Sequence, residues 1–131
     1  PIHAAISGED VERARELHPQ AEVLAHPECR PEVTEKADQV LSTEGMCRYV
    51  KSSSADEFII GTEVGILHRL QKENPTKHFY PVKEEAVCPD MKKINLEKVA
   101  FALQEMKYQV ELPPSIIQKA ALSIERMLQF T

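Results

Sequence analysis

The sequence predicts an α/β fold: a three-layer α/β/α domain around a short four-stranded parallel sheet, followed by a helical C-terminal tail. Three observations carry this expectation. Short apolar runs at 21–25, 39–42, 57–61 and 78–82 read as strands. Helix start signals or helical spacings stand between them, and strands that alternate with helices pair in parallel, with the helices on the sheet faces. After residue 86 the strand signals cease and amphipathic helical spacing takes over.

Taken in order, Ser7-Gly8-Glu9-Asp10 has the form of a capped helix start, with Val11, Ala14 and Leu17 on one face. AEVLA (21–25) is the first strand. Pro31 stands where a helix accepts proline, and Val33, Ala37 and Val40 follow at helical spacing. QVLS (39–42) is the second strand, and Thr43 is placed as the cap of a helix running to about Tyr49. EFIIG (57–61) is the third strand, rich in β-branched and aromatic residues. TEVGILHRLQKEN (62–74) is an amphipathic helix with Val64, Leu67 and Leu70 inward, and HFYPV (78–82) is the fourth strand. This gives an α/β domain over 1–86 and a helical segment over 87–131. In that segment Asn95 caps a helix with Leu96, Val99, Ala100, Leu103 and Met106 on one face, and Pro113-Pro114 begin a second helix. The tail has no strand partner after Val110. It is expected to pack on another layer or on a part of the protein outside this chain.

Composition narrows the function classes. A length of 131 residues with 42% hydrophobic residues suits one buried core. The net charge of −5 and the lack of a basic stripe argue against a nucleic-acid partner. No apolar run approaches the ~20 residues of a membrane span, and no secretory signal stands out. Three widely spaced cysteines fit a reducing, cytoplasmic setting better than a disulfide framework. The chain opens on Pro1-Ile2-His3 without a methionine and is expected to be a piece of something longer.

The polar residues after the strands are the candidate site. His26 and Glu28 follow the first strand, Ser42 and Thr43 the second, Gly61 and Thr62 the third. A parallel sheet puts all of them at its carboxyl edge, where open α/β sheets bind ligands. Each group precedes a helix whose first N–H groups are unpaired, so the edge suits an anion. The plainer reading keeps Ser42, Thr43 and Thr62 as helix caps, His26 as a turn residue and Glu28 as a solvated charge. Among the thiols, Cys47 reads as a small core residue. Cys29 makes an H-x-x-C with His26, but zinc there would need two further ligands. Cys88 directly precedes Pro89, a pairing that recurs at iron–sulfur ligands, although one thiolate cannot hold a cluster and the others would come from outside the chain.

HPEC (26–29), STEGM (42–46), FIIGTEVGILHRLQKENP (58–75), FYPV (79–82) and CPDMKKINLEKV (88–99) together resemble the C-terminal part of the quinolinate synthase family, in order and spacing, over nearly the whole chain. The resemblance implies an enzyme of three pseudo-symmetric α/β units, with 1–86 the third. Its active site lies where they meet, around a 4Fe–4S cluster held by three cysteines. It implies that Cys88 is the third of these metal ligands and that His26 and Glu28 contact the substrate derived from iminoaspartate. Thr43 would bind substrate, with Ser42 beside it. His3 would be a catalytic residue with His26 and Glu28, ending a motif whose cluster cysteine stands just before Pro1. There the match is interrupted, because Ala4-Ala5-Ile6 replace the family's usual aromatic. The implied reaction condenses iminoaspartate with dihydroxyacetone phosphate to quinolinate, for NAD biosynthesis, with loss of phosphate and two waters. The missing N-terminal part of the enzyme would be an obligatory partner, and this chain alone inactive. The competing expectation is a non-catalytic α/β module that binds a small anion and uses Cys88 as a structural thiol.

Overall fold

The computed structural model describes residues 1–130; Thr131, the last residue of the predicted helical segment, lies outside them. The chain divides into two compact units, Pro1–Met91 and a second from Lys92 onward. In the first, a 3-10 turn (His3–Ala5) leads to α1 (Gly8–Leu17), β1 (Glu22–Ala25), α2 (Pro31–Thr34), β2 (Gln39–Val40), α3 (Thr43–Ser52), β3 (Glu57–Gly61), α4 (Ile66–Glu73) and β4 (His78–Pro81). The four strands form one sheet in the order β2-β1-β3-β4, every pair parallel.

Both sheet faces are covered, which is why the strands read as unbroken apolar runs instead of alternating ones. Successive strand residues go to opposite sides. Val23, Ala25 and Ile59 pack with Val11, Ala14 and Val33 from α1 and α2. Leu24, Phe58 and Ile60 pack with Met46, Cys47, Val50 and Leu70 from α3 and α4. Full burial of one such side chain contributes about 1.5–3 kcal/mol, so these two layers hold the sheet.

Four local expectations are corrected. Ser42, not Thr43, caps α3: its Oγ accepts from the Gly45 N–H at 3.2 Å, and Thr43 is the first helical residue. The second strand is only two residues long, because Ser42 leaves it to make that cap, although the Leu41 N–H still donates to the Ala25 carbonyl at 2.9 Å. The spacing of Val33, Ala37 and Val40 is not one helix; α2 is a single turn, after which the Asp38 N–H joins the Val23 carbonyl and Val40 enters β2. The fourth helix starts at Ile66 instead of 62, because Glu63 turns back to accept from the Gly65 N–H at 2.7 Å. Thr62 is therefore no cap; Gly65 stands in that place, without a side-chain bond.

In the second unit α5 (Leu96–Glu105) is capped by Asn95, whose Oδ1 accepts from the Lys98 N–H at 2.9 Å. The other helix, α6 (Pro114–Leu128), starts on Pro113-Pro114. Neither contains a buried residue. Among the described residues no helix is long and apolar enough to cross a membrane.

Candidate functional site

The winding of the sheet selects the place. From β1 the chain moves outward to β2, and from β3 outward to β4, on the opposite side. The strand order therefore reverses between β1 and β3, and the crevice beyond their carboxyl ends is the usual ligand position in such sheets. Ala25 is in register with Gly61, so His26 and Thr62 are the first residues past the paired ends. The His26 N–H donates to the Gly61 carbonyl at 3.0 Å and closes that end.

A third segment supplies the centre of the site. The turn at His3–Ala5 is pinned by Ile6, buried in the α1/α2 layer, with Ile2 packed against the same layer. His3 is thereby held over the crevice. Its Nδ1 lies 3.0 Å from Glu28 Oε2 and its Nε2 lies 3.0 Å from Thr62 Oγ1. The His3 ring stacks on His26, with centroids 4.4 Å apart and planes 7° from parallel. The Glu28 N–H donates to His26 Nδ1 at 3.2 Å, which puts the proton of a neutral His26 on Nε2. Burial pushes the pKa of His26 below the ordinary histidine range; the neighbouring His3 adds to this and Glu28 opposes it. Glu28 itself is 72% exposed, so its carboxylate stands open to a ligand.

The loop after β4 docks beside this edge. The Val64 N–H donates to the Ala86 carbonyl at 3.0 Å, and Glu63 accepts from the Cys88 N–H at 3.2 Å. Cys88 is thus carried to the segment that follows Thr62, with its side chain half-buried. The other two thiols are not available in this way. Cys29 is buried with its Sγ donating to the Gly61 carbonyl at 3.3 Å, and burial pushes its pKa up. Cys47 is buried between α3 and the sheet and is also pushed up by burial. A zinc site on His26 and Cys29 is therefore not formed. His3, His26 and Glu28 do offer ligand atoms within 4.8 Å of one another. Two parallel stacked rings, however, aim their in-plane nitrogen lone pairs side by side and do not converge on one tetrahedral ion.

Of the residues singled out in the sequence, the structure brings together His3, His26 and Glu28. Ser42 and Thr43 follow the edge strand β2, one strand away, exposed at the start of α3, where Ser42 is engaged as the cap. Sequence reasoning missed the part taken by Thr62, 3% exposed and bonded to His3. The signal was its position: it follows β3 as His26 follows β1.

The family model described as quinolinate synthetase A protein matches residues 1–129. The chain belongs to that family. It is 52% identical over 128 residues to the quinolinate synthase of Thermodesulfovibrio yellowstonii, covering 98% of this chain and 42% of the relative. The Methanosarcina barkeri quinolinate synthase is 50% identical over 128 residues, with the same coverage. That of Pyrococcus furiosus is 48% identical over 130 residues, covering 99% of this chain and 42% of the relative. The chain thus spans about two fifths of the length of these relatives.

Proposed function

We propose that this chain is the part of a quinolinate synthase that forms one wall of its active site. In this reading 1–86 is the third of three α/β units, and the intact enzyme, in the cytoplasm, condenses iminoaspartate with dihydroxyacetone phosphate. The observation that supports it is the convergence of His3, His26 and Glu28 at the sheet's carboxyl edge, from segments up to 25 residues apart. Both substrates are anions. His26, held neutral with its proton on Nε2, can donate to a substrate carboxylate without needing a charge of its own. Glu28 is the exposed group, with Oε2 engaged by His3. Its Oε1 is assigned the proton transfers that the dehydration and tautomer steps require. His3 stands behind Glu28 and holds its orientation. Ser42 and Thr43 lie at the rim, where the start of α3 presents backbone N–H groups to an anionic ligand.

Cys88 fits one ligand of a 4Fe–4S cluster: it is the half-buried thiol beside this edge, whereas Cys29 and Cys47 are committed to the core. The remaining thiolates would come from the part of the enzyme outside this chain. When bound, the cluster would supply an open iron position that acts as a Lewis acid on a substrate oxygen.

The test is Glu28→Gln in the full-length enzyme, assayed without oxygen at matched iron content. Loss of a positioned proton-transfer group lowers turnover by about 10²–10⁴-fold. Stability changes by no more than roughly 0.5 kcal/mol, since the side chain is exposed. Unchanged turnover would leave HPEC as a solvated turn and favour the anion-binding module.

A further inference from the structure

The reading above leaves Thr62 without a part, although its hydroxyl is buried and bonded across 59 residues of sequence to His3. Resting on that reading, we propose that Thr62 is a positioning residue: its hydroxyl holds the His3 ring against Glu28 in both protonation states of the imidazole, by reversing the sense of one hydrogen bond.

An ionised carboxylate only accepts, so the contact of Glu28 Oε2 with His3 Nδ1 places a proton on Nδ1. In neutral His3 the other nitrogen, Nε2, then carries a lone pair, and the Thr62 hydroxyl must donate to it at 3.0 Å. In the cation Nε2 carries a hydrogen, and the same Thr62 oxygen accepts from it at the same position. No heavy atom has to move. A side chain with only N–H groups serves the neutral ring alone, and a carboxylate favours the cation alone; a hydroxyl serves both. Threonine adds stiffness, since its β-branched side chain restricts χ1. The strand end that carries it is fixed in turn, because the Gly61 carbonyl accepts from both the His26 N–H and the Cys29 thiol.

This matters because the charge beside His3 changes during turnover. The proton transfers assigned to Glu28 alternate it between carboxylate and acid, so the group facing His3 Nδ1 alternates with them. A ring bonded in only one of its states would swing out of the stack when the state changed and release Glu28. Thr62 removes that failure.

The experiment compares Thr62→Val with Thr62→Ser in the full-length enzyme, together with ¹⁵N NMR of the His3 ring in this chain. Valine keeps the shape and loses the hydroxyl; serine keeps the hydroxyl and loses a methyl. The valine variant is expected to lose about tenfold to a hundredfold in kcat, as outer positioning groups typically do, with KM nearly unchanged and the His3 Nε2 resonance displaced. The serine variant should stay within about threefold of the parent, with that resonance in place. Should valine disturb the fold, Thr62→Cys, a weak hydrogen bonder of similar size, replaces it. Retained kcat in the valine variant, an unmoved Nε2 resonance there, or equal losses in valine and serine would each overturn the proposal. Glu28→Gln in the same series separates the two readings. If it is silent, the acid–base reading itself fails. If it is impaired while Thr62→Val is not, only the Thr62 assignment fails.

Discussion

The two units of this chain use the same kinds of helix and reach opposite results. Helices α1, α3 and α4 are amphipathic, and each sets its apolar face into a sheet layer; Val11, Val50 and Leu70 are all but inaccessible. Helices α5 and α6 are amphipathic as well, properly capped or proline-started, yet Leu103, Leu122 and Ile124 remain more than half exposed. Capping and periodicity therefore make a helix without making a core. In the first unit the partner is a sheet built from strands distant in sequence. Among its described residues the second unit has no strand, and neither α5 nor α6 contains a buried residue. The relatives are more than twice as long as this chain.

Matched truncations distinguish the two units most directly. Phe58→Ala removes a fully buried ring that stacks on Phe79 at 5.7 Å. It is expected to cost about 3–5 kcal/mol. Leu103→Ala, on α5 at 70% exposure, is expected to stay within roughly 0.5 kcal/mol in this chain. Urea unfolding of both variants checks this, and comparable losses would mean that α5 has a core in this chain after all.

A second change probes how the first unit holds the segment that carries His3. The Asp10 carboxylate is buried at the start of α1, where it accepts from the Ser7 N–H and hydroxyl, both at 2.9 Å, from Lys83 at 3.3 Å and from Arg13. Lys83 also donates to the Ala5 carbonyl at 3.0 Å, so the turn bearing His3 is tied to the loop after β4. Burial alone would raise this carboxyl, but the bonds from Ser7 and Lys83 outweigh it and hold the pKa below the ordinary aspartate value. Asp10→Asn is expected to cost about 1.5–3 kcal/mol at pH 7, the range for hydrogen bonds to a charged group. The sign with pH follows from the lowered pKa. The contribution is complete above about pH 4 and fades as the pH falls below it and the folded-state carboxyl takes up its proton. Parent and variant should therefore draw together in urea midpoint as the pH falls through the lowered folded-state value; a gap that stays constant on acidification would show that the carboxylate charge is not what Asp10 contributes.

How far the sequence reached can be judged on these same residues. All four strands were legible: β1 and β3 are buried on both faces and read as apolar runs, and the less buried edge strands β2 and β4 were read from short runs bounded by polar turns. The place of His26 and Glu28 was legible once the strands were parallel, since topology alone puts them at the carboxyl edge. The cap of α3 was not: Ser42 and Thr43 are adjacent and chemically equivalent as caps, and only the backbone decides between them. The start of α4 failed for a similar reason, since the turn of Glu63 onto Gly65 leaves no mark in the apolar spacing. Thr62 could not be read as a partner of His3, because their contact joins a turn before α1 to the end of β3, and spacing along the chain does not encode it.

The smallest effect expected is in the titration of His26, and it tests the balance of charges at the site. In the fold His26 is held neutral by burial first and by His3 second, with Glu28 pulling the other way. Its NMR titration midpoint should lie below the ordinary histidine range. Glu28→Gln removes the attraction and should move the midpoint further down. His3→Phe keeps a stacked ring, removes the charge and should move it up. Stability follows with a definite sign. The unfolded chain takes up this proton near pH 6.5 and the folded chain only at lower pH. The contribution from His26 is thus intact above about pH 6.5 and is lost as the pH falls through the folded midpoint. A midpoint that rises in Glu28→Gln would mean that the carboxylate does not act on His26 through charge, and the link between the exposed carboxylate and the stacked ring pair would be lost.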